Sequence, residues 1–156
     1  MGGDYVLDAN RVEIDPFLTA LRASRLTQLH VENAASFGPF SMAPARLLLG
    51  AAAGHATLRT LRLRGCPALG AVTPAACGDA LAAAAATLHE LDVSNNRLNE
   101  RTVAPLLAAV TQQGCTLRRL ALDGPRFSRA FEEGALADAL RQAPPSLKFE
   151  LPWGIL

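Results

Sequence analysis

The stretch LHELDVSNNRL, residues Leu88–Leu98, decides the fold of this chain. Its first, fourth and sixth places hold Leu88, Leu91 and Val93, and its ninth place holds Asn96. In an extended chain successive side chains point to opposite faces, so the fourth and sixth residues share one face. The pattern therefore predicts a short strand with one buried face, followed by a turn.

The same pattern recurs along the chain. Further copies start at Leu26 (LTQLHVENA), Leu58 (LRTLRLRGC) and Leu117 (LRRLALDGP), so the first leucines of the four copies, with Leu88 as the third, lie 32, 30 and 29 residues apart. A weaker copy lies at 5–12, and another lies in SLKFEL at 146–151, where the register is uncertain by one residue. We therefore expect about five to six short repeats in a single domain spanning residues 1–156.

Each repeat continues with a helical pattern. In the repeat that starts at Leu88, apolar residues recur at three- and four-residue steps, as on the buried stripe of a helix. One strand and one helix cannot bury their own apolar faces, but stacked copies bury a continuous core. The sequence thus predicts an α/β solenoid, with a curved parallel sheet on the inner side and helices on the outer side. The helical stripe consists of Val103, Leu106, Leu107 and Val110.

Three further features identify the repeat type. The motif at 88–98 is complete, Cys66 stands in the asparagine-or-cysteine place of its own repeat, and Cys115 precedes Leu117 by two residues. In these features the chain resembles the leucine-rich repeat proteins of the ribonuclease-inhibitor type, from Tyr5 to about Leu151. The resemblance implies a solenoid fold but says little about function, because this architecture serves many unrelated roles.

Two repeats depart from the consensus. Ala34 and Pro125 stand where asparagine or cysteine is expected, so these turns should be less regular. The stretch AASFGPFSMAP, residues 34–44, makes the second repeat the longest and predicts a looped insertion. Its Phe37, Phe40 and Met42 either tuck under the turn or form an exposed contact.

Composition limits the classes of partner. Half of the residues are apolar, 19% are charged and the net charge is +1. Proteins that bind nucleic acid through their charge normally show a basic excess, so we do not expect a nucleic-acid partner. The first residues lack the features of a signal peptide, and no stretch is long enough to span a membrane. We expect a soluble, intracellular protein, cytoplasmic by default, without membrane insertion.

No arrangement of residues predicts catalysis. His30, His55 and His89 are candidates for acid–base chemistry, but His89 and its neighbour Glu90 point to opposite faces of a strand. The three cysteines have no CxxC spacing, and the glycines form no phosphate-binding loop. Cys77 lies near a predicted helix start, where a thiolate would gain stabilisation. We expect no catalytic residue, no cofactor and no metal.

The concave strand face of such a solenoid is the first predicted binding surface. It has a basic centre flanked by acidic side chains. Either cross-strand ion pairs neutralise these charges in solvent, or the arginines anchor acidic side chains of a protein partner. The predicted contact residues here are Arg59, Arg62, Arg64, Glu90, Asp92, Arg119 and Asp123.

The ends and the insertion form the second predicted surface. The first strand starts by Tyr5 with no segment to cover it, and the chain ends in the apolar tail LPWGIL. An uncovered sheet edge and an apolar tail favour association, so either the chain is part of a longer repeat protein or its ends dock onto neighbours. The predicted contact residues here are Tyr5, Phe37, Phe40, Trp153, Ile155 and Leu156.

These patterns favour a noncatalytic protein–protein interaction module that acts as a scaffold or assembly subunit of a larger complex. The alternative is a regulatory adaptor, such as the substrate-recognition part of a ubiquitin ligase or a regulator of a small GTPase. An adaptor would need a second binding box, and the sequence contains no recognisable one.

Overall fold

Seven strands form one sheet in a computed structural model that describes residues 4–8, 14–32, 42–66, 74–96, 98–122, 127–151 and 154–155. The strands lie side by side in the order in which they occur in the chain. The first six pair in parallel, and the seventh pairs antiparallel with the sixth. The strands are β1 (Asp4–Asp8), β2 (Gln28–Glu32), β3 (Thr60–Arg64), β4 (Glu90–Asp92), β5 (Arg119–Ala121), β6 (Lys148–Leu151) and β7 (Gly154–Ile155).

Helices connect the parallel strands, and each of the first four helices contacts the next. This arrangement confirms the prediction of an α/β fold with a parallel sheet. The helices are α1 (Ile14–Ala23), α2 (Met42–Ala53), α3 (Pro74–Ala85), α4 (Glu100–Val110), α5 (Arg129–Phe131) and α6 (Ala137–Gln142).

A π-helical turn, Glu132–Leu136, joins α5 to α6. The apolar positions Phe131 and Leu136 are five residues apart, which is too far for one α-helical step. A π turn bonds each residue to the fifth one along, so it brings both side chains to the core side of the helix. Leu136 is buried and Phe131 packs against the core.

The core lies between the sheet and the helices. One core residue from each of five neighbouring strands pairs in register with the next, and all five are at most 2% exposed. Since these residues occupy the fourth place of each repeat, the spacing predicted the register correctly. The last strand resolves the uncertain repeat, because Phe149 takes the fourth place and Glu150 the fifth. The row consists of Leu29, Leu61, Leu91, Leu120 and Phe149.

Asn96 ties two neighbouring repeats together. Its side chain is fully buried, its Oδ1 accepts a 2.6 Å hydrogen bond from the Cys66 amide, and its Nδ2 donates to the carbonyls of Leu63 and Val93. Asn95 before it has a φ of 60°, in the left-handed region that asparagine tolerates better than most residues. An asparagine stands at this place of the motif because its side chain bonds backbone groups that would otherwise be buried without a partner.

Close packing of α3 against α4 requires Gly78. A Cβ atom at this position would lie 2.7 Å from Cγ of Pro105 and 2.9 Å from the carbonyl oxygen of Thr102. Both distances are below normal contact, so a larger residue would push the two helices apart.

The insertion predicted at 34–44 needs a correction at its end. Residues 34–41, which include Phe37 and Phe40, lie outside the described residues, but 42–44 form the first turn of α2. Pro44 does not prevent this, because a proline in the first helical turn leaves no required amide donor missing. None of the helices in the described part of the chain is long and apolar enough to cross a membrane.

Candidate functional site

The sheet has a second face, which carries polar and charged side chains. These residues alternate along each strand with the core residues and therefore point away from the helices. We call this surface the open face. Its described side chains are Gln28, His30, Glu32, Thr60, Arg62, Arg64, Glu90, Asp92, Arg119, Ala121, Lys148 and Glu150.

Asp92 is the most buried acid of the open face, with 0% of its side chain exposed. Arg64 donates to its Oδ2 from Nε at 2.8 Å, and Nη2 of Arg64 lies 2.6 Å from the same oxygen. Ser94 donates to Oδ1 from its backbone amide and its hydroxyl, at 3.1 and 2.6 Å. Burial alone would raise the pKa of Asp92, but the hydrogen bonds from Arg64 and Ser94 outweigh it and lower the pKa.

A bidentate ion pair joins β5 to β6. Arg119 donates from Nε to Oε1 of Glu150 at 2.8 Å and from Nη2 to Oε2 at 2.6 Å. The hydrogen bonds lower the pKa of Glu150 and raise that of Arg119. Glu90 lies between two arginines, with its Oε2 3.7 Å from Arg119 Nη1 and 3.7 Å from Arg62 Nη2. We call Arg64, Glu90, Asp92, Arg119 and Glu150 the ion-pair cluster.

His30 and Arg62 differ from this cluster. They are register partners on β2 and β3, so their side chains stand beside each other on the open face. His30 Nε2 and Arg62 Nε are buried from solvent, and neither has a hydrogen-bond partner among the described residues. We call these two residues the His30–Arg62 pair.

Arg59, which is predicted to contact a partner on the concave surface, is not one of the alternating open-face residues, and its contact role stays a prediction. It precedes β3 by one residue, and its guanidinium donates to the carbonyl oxygens of Leu58 and Ala56 at 2.8 and 3.2 Å. The side chain therefore satisfies carbonyls of the turn before the strand. Proximity in sequence to Arg62 and Arg64 does not place it beside them.

The remaining predicted contact residues are placed incompletely or not at all. For Tyr5 in β1 and Ile155 in β7 the backbone alone is described. The pairing of Leu151 with Gly154 and of Glu150 with Ile155 shows that part of the LPWGIL tail folds back onto β6. The backbone of Gly154 and Ile155 thus pairs with a strand of the same chain. Asp123, Phe37, Phe40, Trp153 and Leu156 lie outside the described residues.

Sequence reasoning missed several residues that organise the open face. Ser94 follows Asp92 by two residues and binds its carboxylate, a short-range pattern that is visible in the sequence. Glu150 was recognisable only by its alternation with Phe149 and Leu151, because the register of that repeat was uncertain. His30 was considered for catalysis but not as a contact residue, and its unpartnered nitrogen could not be foreseen from spacing.

The three histidines do not form a common centre. His55 is 7% exposed, its Nε2 lies 2.9 Å from the Leu21 carbonyl oxygen, and its Nδ1 accepts from the Leu58 amide at 3.0 Å. It therefore links the end of α1 to the start of β3. His89 directly precedes β4, and His30 lies on β2. In the described ranges, no three histidine, cysteine or acidic side chains are grouped closely enough to hold a metal ion.

The thiol of Cys77 is not activated by its helix. It lies in the first turn of α3 but is 1% exposed, and burial raises its pKa to about 11. A group that is protonated at neutral pH in this way is a poor nucleophile. A separate cleft of about 300 Å³ lies between the ends of α3 and α4 and is lined mainly by alanine and glutamine residues together with Gly114 and Cys115. None of these lining residues is charged, so none of them activates the Cys115 thiol.

The chain matches no protein-family model and no curated protein. Its function must therefore be argued from its own residues.

Proposed function

We propose that the chain is a leucine-rich repeat solenoid of the ribonuclease-inhibitor type and that its open face, the concave surface of the solenoid, binds another protein. In this proposal the chain is a noncatalytic interaction module and a scaffold or assembly subunit of a larger complex. The observation that carries the proposal is the open face itself, where side chains of five neighbouring strands stand in register and many are fixed by ion pairs.

Fixed side chains are well suited to recognition. Binding costs free energy for every mobile side chain that becomes ordered. Arg119, held by two hydrogen bonds to Glu150, and Arg64, held by Asp92, have already lost that freedom. These ion pairs thus give the open face a defined pattern of charge and shape around the side chains that a partner contacts.

The balance of charge favours a protein partner over a nucleic acid. The described open face carries four basic and four acidic side chains, apart from His30. A nucleic-acid backbone binds where lysine and arginine outnumber acidic groups, which repel phosphate. A surface with both signs instead suits the mixed rim of a protein interface. The basic residues are Arg62, Arg64, Arg119 and Lys148, and the acidic residues are Glu32, Glu90, Asp92 and Glu150.

Native purification of the tagged chain, with mass spectrometry of the chains that co-purify, tests this proposal. The test variant is Arg62→Glu with Lys148→Glu, because Arg62 has only the long 3.7 Å contact with Glu90 and Lys148 makes no ion pair with another described residue. The control is Arg22→Glu with Arg101→Glu, which changes the net charge equally on exposed positions of α1 and α4. We expect a stoichiometric partner with the wild type and the control, and its loss with the open-face variant.

Two outcomes would contradict the proposal. One is recovery of the wild-type chain as a monomer without companions. The other is equal loss of the partner in the test and control variants, since that would indicate an effect of net charge. Circular dichroism of each variant establishes that it is folded.

A further inference from the structure

We infer that the His30–Arg62 pair is a subsite for a carboxylate group, supplied by an aspartate or glutamate side chain of the protein partner. This inference rests on the proposed function, because it specifies which part of the open face the partner contacts. It is carried by two buried, unpartnered nitrogen atoms on neighbouring strands.

Buried polar atoms in folded proteins nearly always have a hydrogen-bond partner. Among the described residues, buried side-chain nitrogen and oxygen atoms without one are limited to His30 Nε2 and Arg62 Nε. Both belong to register partners on one surface, so a single ligand group seated between the two side chains can bond both once these side chains move aside to admit it. A ligand that accepts hydrogen bonds there removes the cost of leaving them unpaired.

The other two arginines of the open face have a close carboxylate partner, which Arg62 lacks among the described residues. Arg64 and Arg119 each have a carboxylate oxygen at 2.6 Å from a guanidinium nitrogen. For Arg62 the nearest carboxylate is Glu90, at 3.7 Å and shared with Arg119. The described residues thus supply close carboxylates for two arginines of the open face, and the third keeps a guanidinium edge that matches the same group.

The charges around the His30–Arg62 pair favour a ligand group that is planar and carries a single negative charge. Glu90 near Arg62, and Glu32 two residues beyond His30 on β2, already contribute negative charge to this region. A phosphate group carries nearly twice the charge of a carboxylate and is repelled more strongly. Gln28 and Thr60 are register partners that lie two residues before His30 and Arg62 on the same strands. They provide a neutral polar border.

The experiment uses the full chain labelled with ¹⁵N and titrated with a hexaglutamate peptide, with hexaglutamine as the uncharged control. The Nε–H resonances of Arg62, Arg64 and Arg119 report on the three sites separately. We expect a saturable shift of Arg62 and of the His30 ring, with Arg64 and Arg119 nearly unchanged. No such shift is expected with hexaglutamine.

Two variants and one control assign the effect. Arg62→Met removes the guanidinium but keeps the length of the stem, and His30→Leu removes the ring nitrogens. Each should weaken hexaglutamate binding about tenfold, the typical effect of a lost charge-assisted hydrogen bond. Arg119→Met changes the net charge as Arg62→Met does and should weaken binding less than about twofold.

Several results would overturn the inference. They are the absence of any shift, equal weakening by Arg62→Met and Arg119→Met, or tighter binding of inorganic phosphate than of the peptide at the same residues.

The co-purification experiment described above distinguishes failure of the carboxylate subsite from failure of the proposed interaction module. A partner that is lost with Arg62→Glu and Lys148→Glu but fully retained with Arg62→Met would leave the interaction module standing and remove the subsite. Saturable peptide binding at Arg62 without any co-purifying chain would support the subsite and contradict the assembly subunit.

Discussion

The ion-pair cluster and the His30–Arg62 pair lie on the same face of the same sheet but differ in how their polar groups are satisfied. In the cluster each arginine meets a carboxylate of a neighbouring strand, and Asp92 also receives two hydrogen bonds from Ser94. In the pair, one nitrogen of each residue is buried without a partner. Charged residues on one surface can therefore have different roles, and hydrogen bonding, more than charge itself, separates the residues that stabilise the sheet from those available to a partner.

The largest expected effect on stability comes from removing the cation that pairs with Asp92, the buried acid of the ion-pair cluster. Arg64→Met leaves Asp92 fully buried without its cation, so the free energy of unfolding should fall by about 2 kcal/mol. A wholly buried ion pair that loses one partner typically costs about 3–5 kcal/mol, and the smaller value reflects the 42% exposure of Arg64. Urea unfolding measures the change. A loss no greater than that in Arg62→Met would contradict the distinction between the two regions.

The next effect concerns pH and the same acid. Because the pKa of Asp92 is lowered in the folded chain, its stabilising contribution is complete above the ordinary carboxyl pKa of about 4 and is lost as the pH falls through the lowered value. Asp92→Asn lacks this contribution at every pH. The difference in unfolding free energy between wild type and Asp92→Asn should therefore be largest near pH 7 and narrow below about pH 4. Parallel curves for the two chains over this range would contradict the account.

The smallest effects compare the remaining arginines. Arg119→Met removes the bidentate contact to Glu150 and should cost about 1 kcal/mol, since both side chains remain partly exposed. Arg62→Met removes a group that has no close partner and should change stability by less than about 0.5 kcal/mol. Thermal and urea unfolding of both variants check the order. A larger loss for Arg62→Met than for Arg119→Met would show that the His30–Arg62 pair is a structural feature.

Much of the fold could be predicted because the apolar spacing is regular. The positions of Leu29, Leu61 and Leu91 in successive repeats correctly predicted parallel strands and their register. The row His30, Arg62 and Asp92 follows from the same spacing. The π turn before α6 could not be predicted, because the five-residue step from Phe131 to Leu136 fits no regular helical pattern.

The pairing of side chains on the open face could not be predicted from spacing. Arg64 reaches Asp92, whose register partner is Arg62, and this diagonal contact depends on rotamers and on neighbours across the sheet. Arg59 was assigned to the surface by its place in the chain, but it turns to the carbonyl oxygens of the preceding residues. The folded sheet also determines that, among the described open-face arginines, Arg62 is the one without a carboxylate within 3 Å.

The most direct test of the central claim is the amount of partner protein that co-purifies with wild type, Arg62→Met and Arg119→Met, each shown to be folded. If the open face binds its partner through the His30–Arg62 pair, Arg62→Met loses most of the partner while its stability stays close to that of wild type. Arg119→Met, although less stable, should retain it. Retention by Arg62→Met together with loss by Arg119→Met would contradict the claim and would assign binding to the ion-pair cluster.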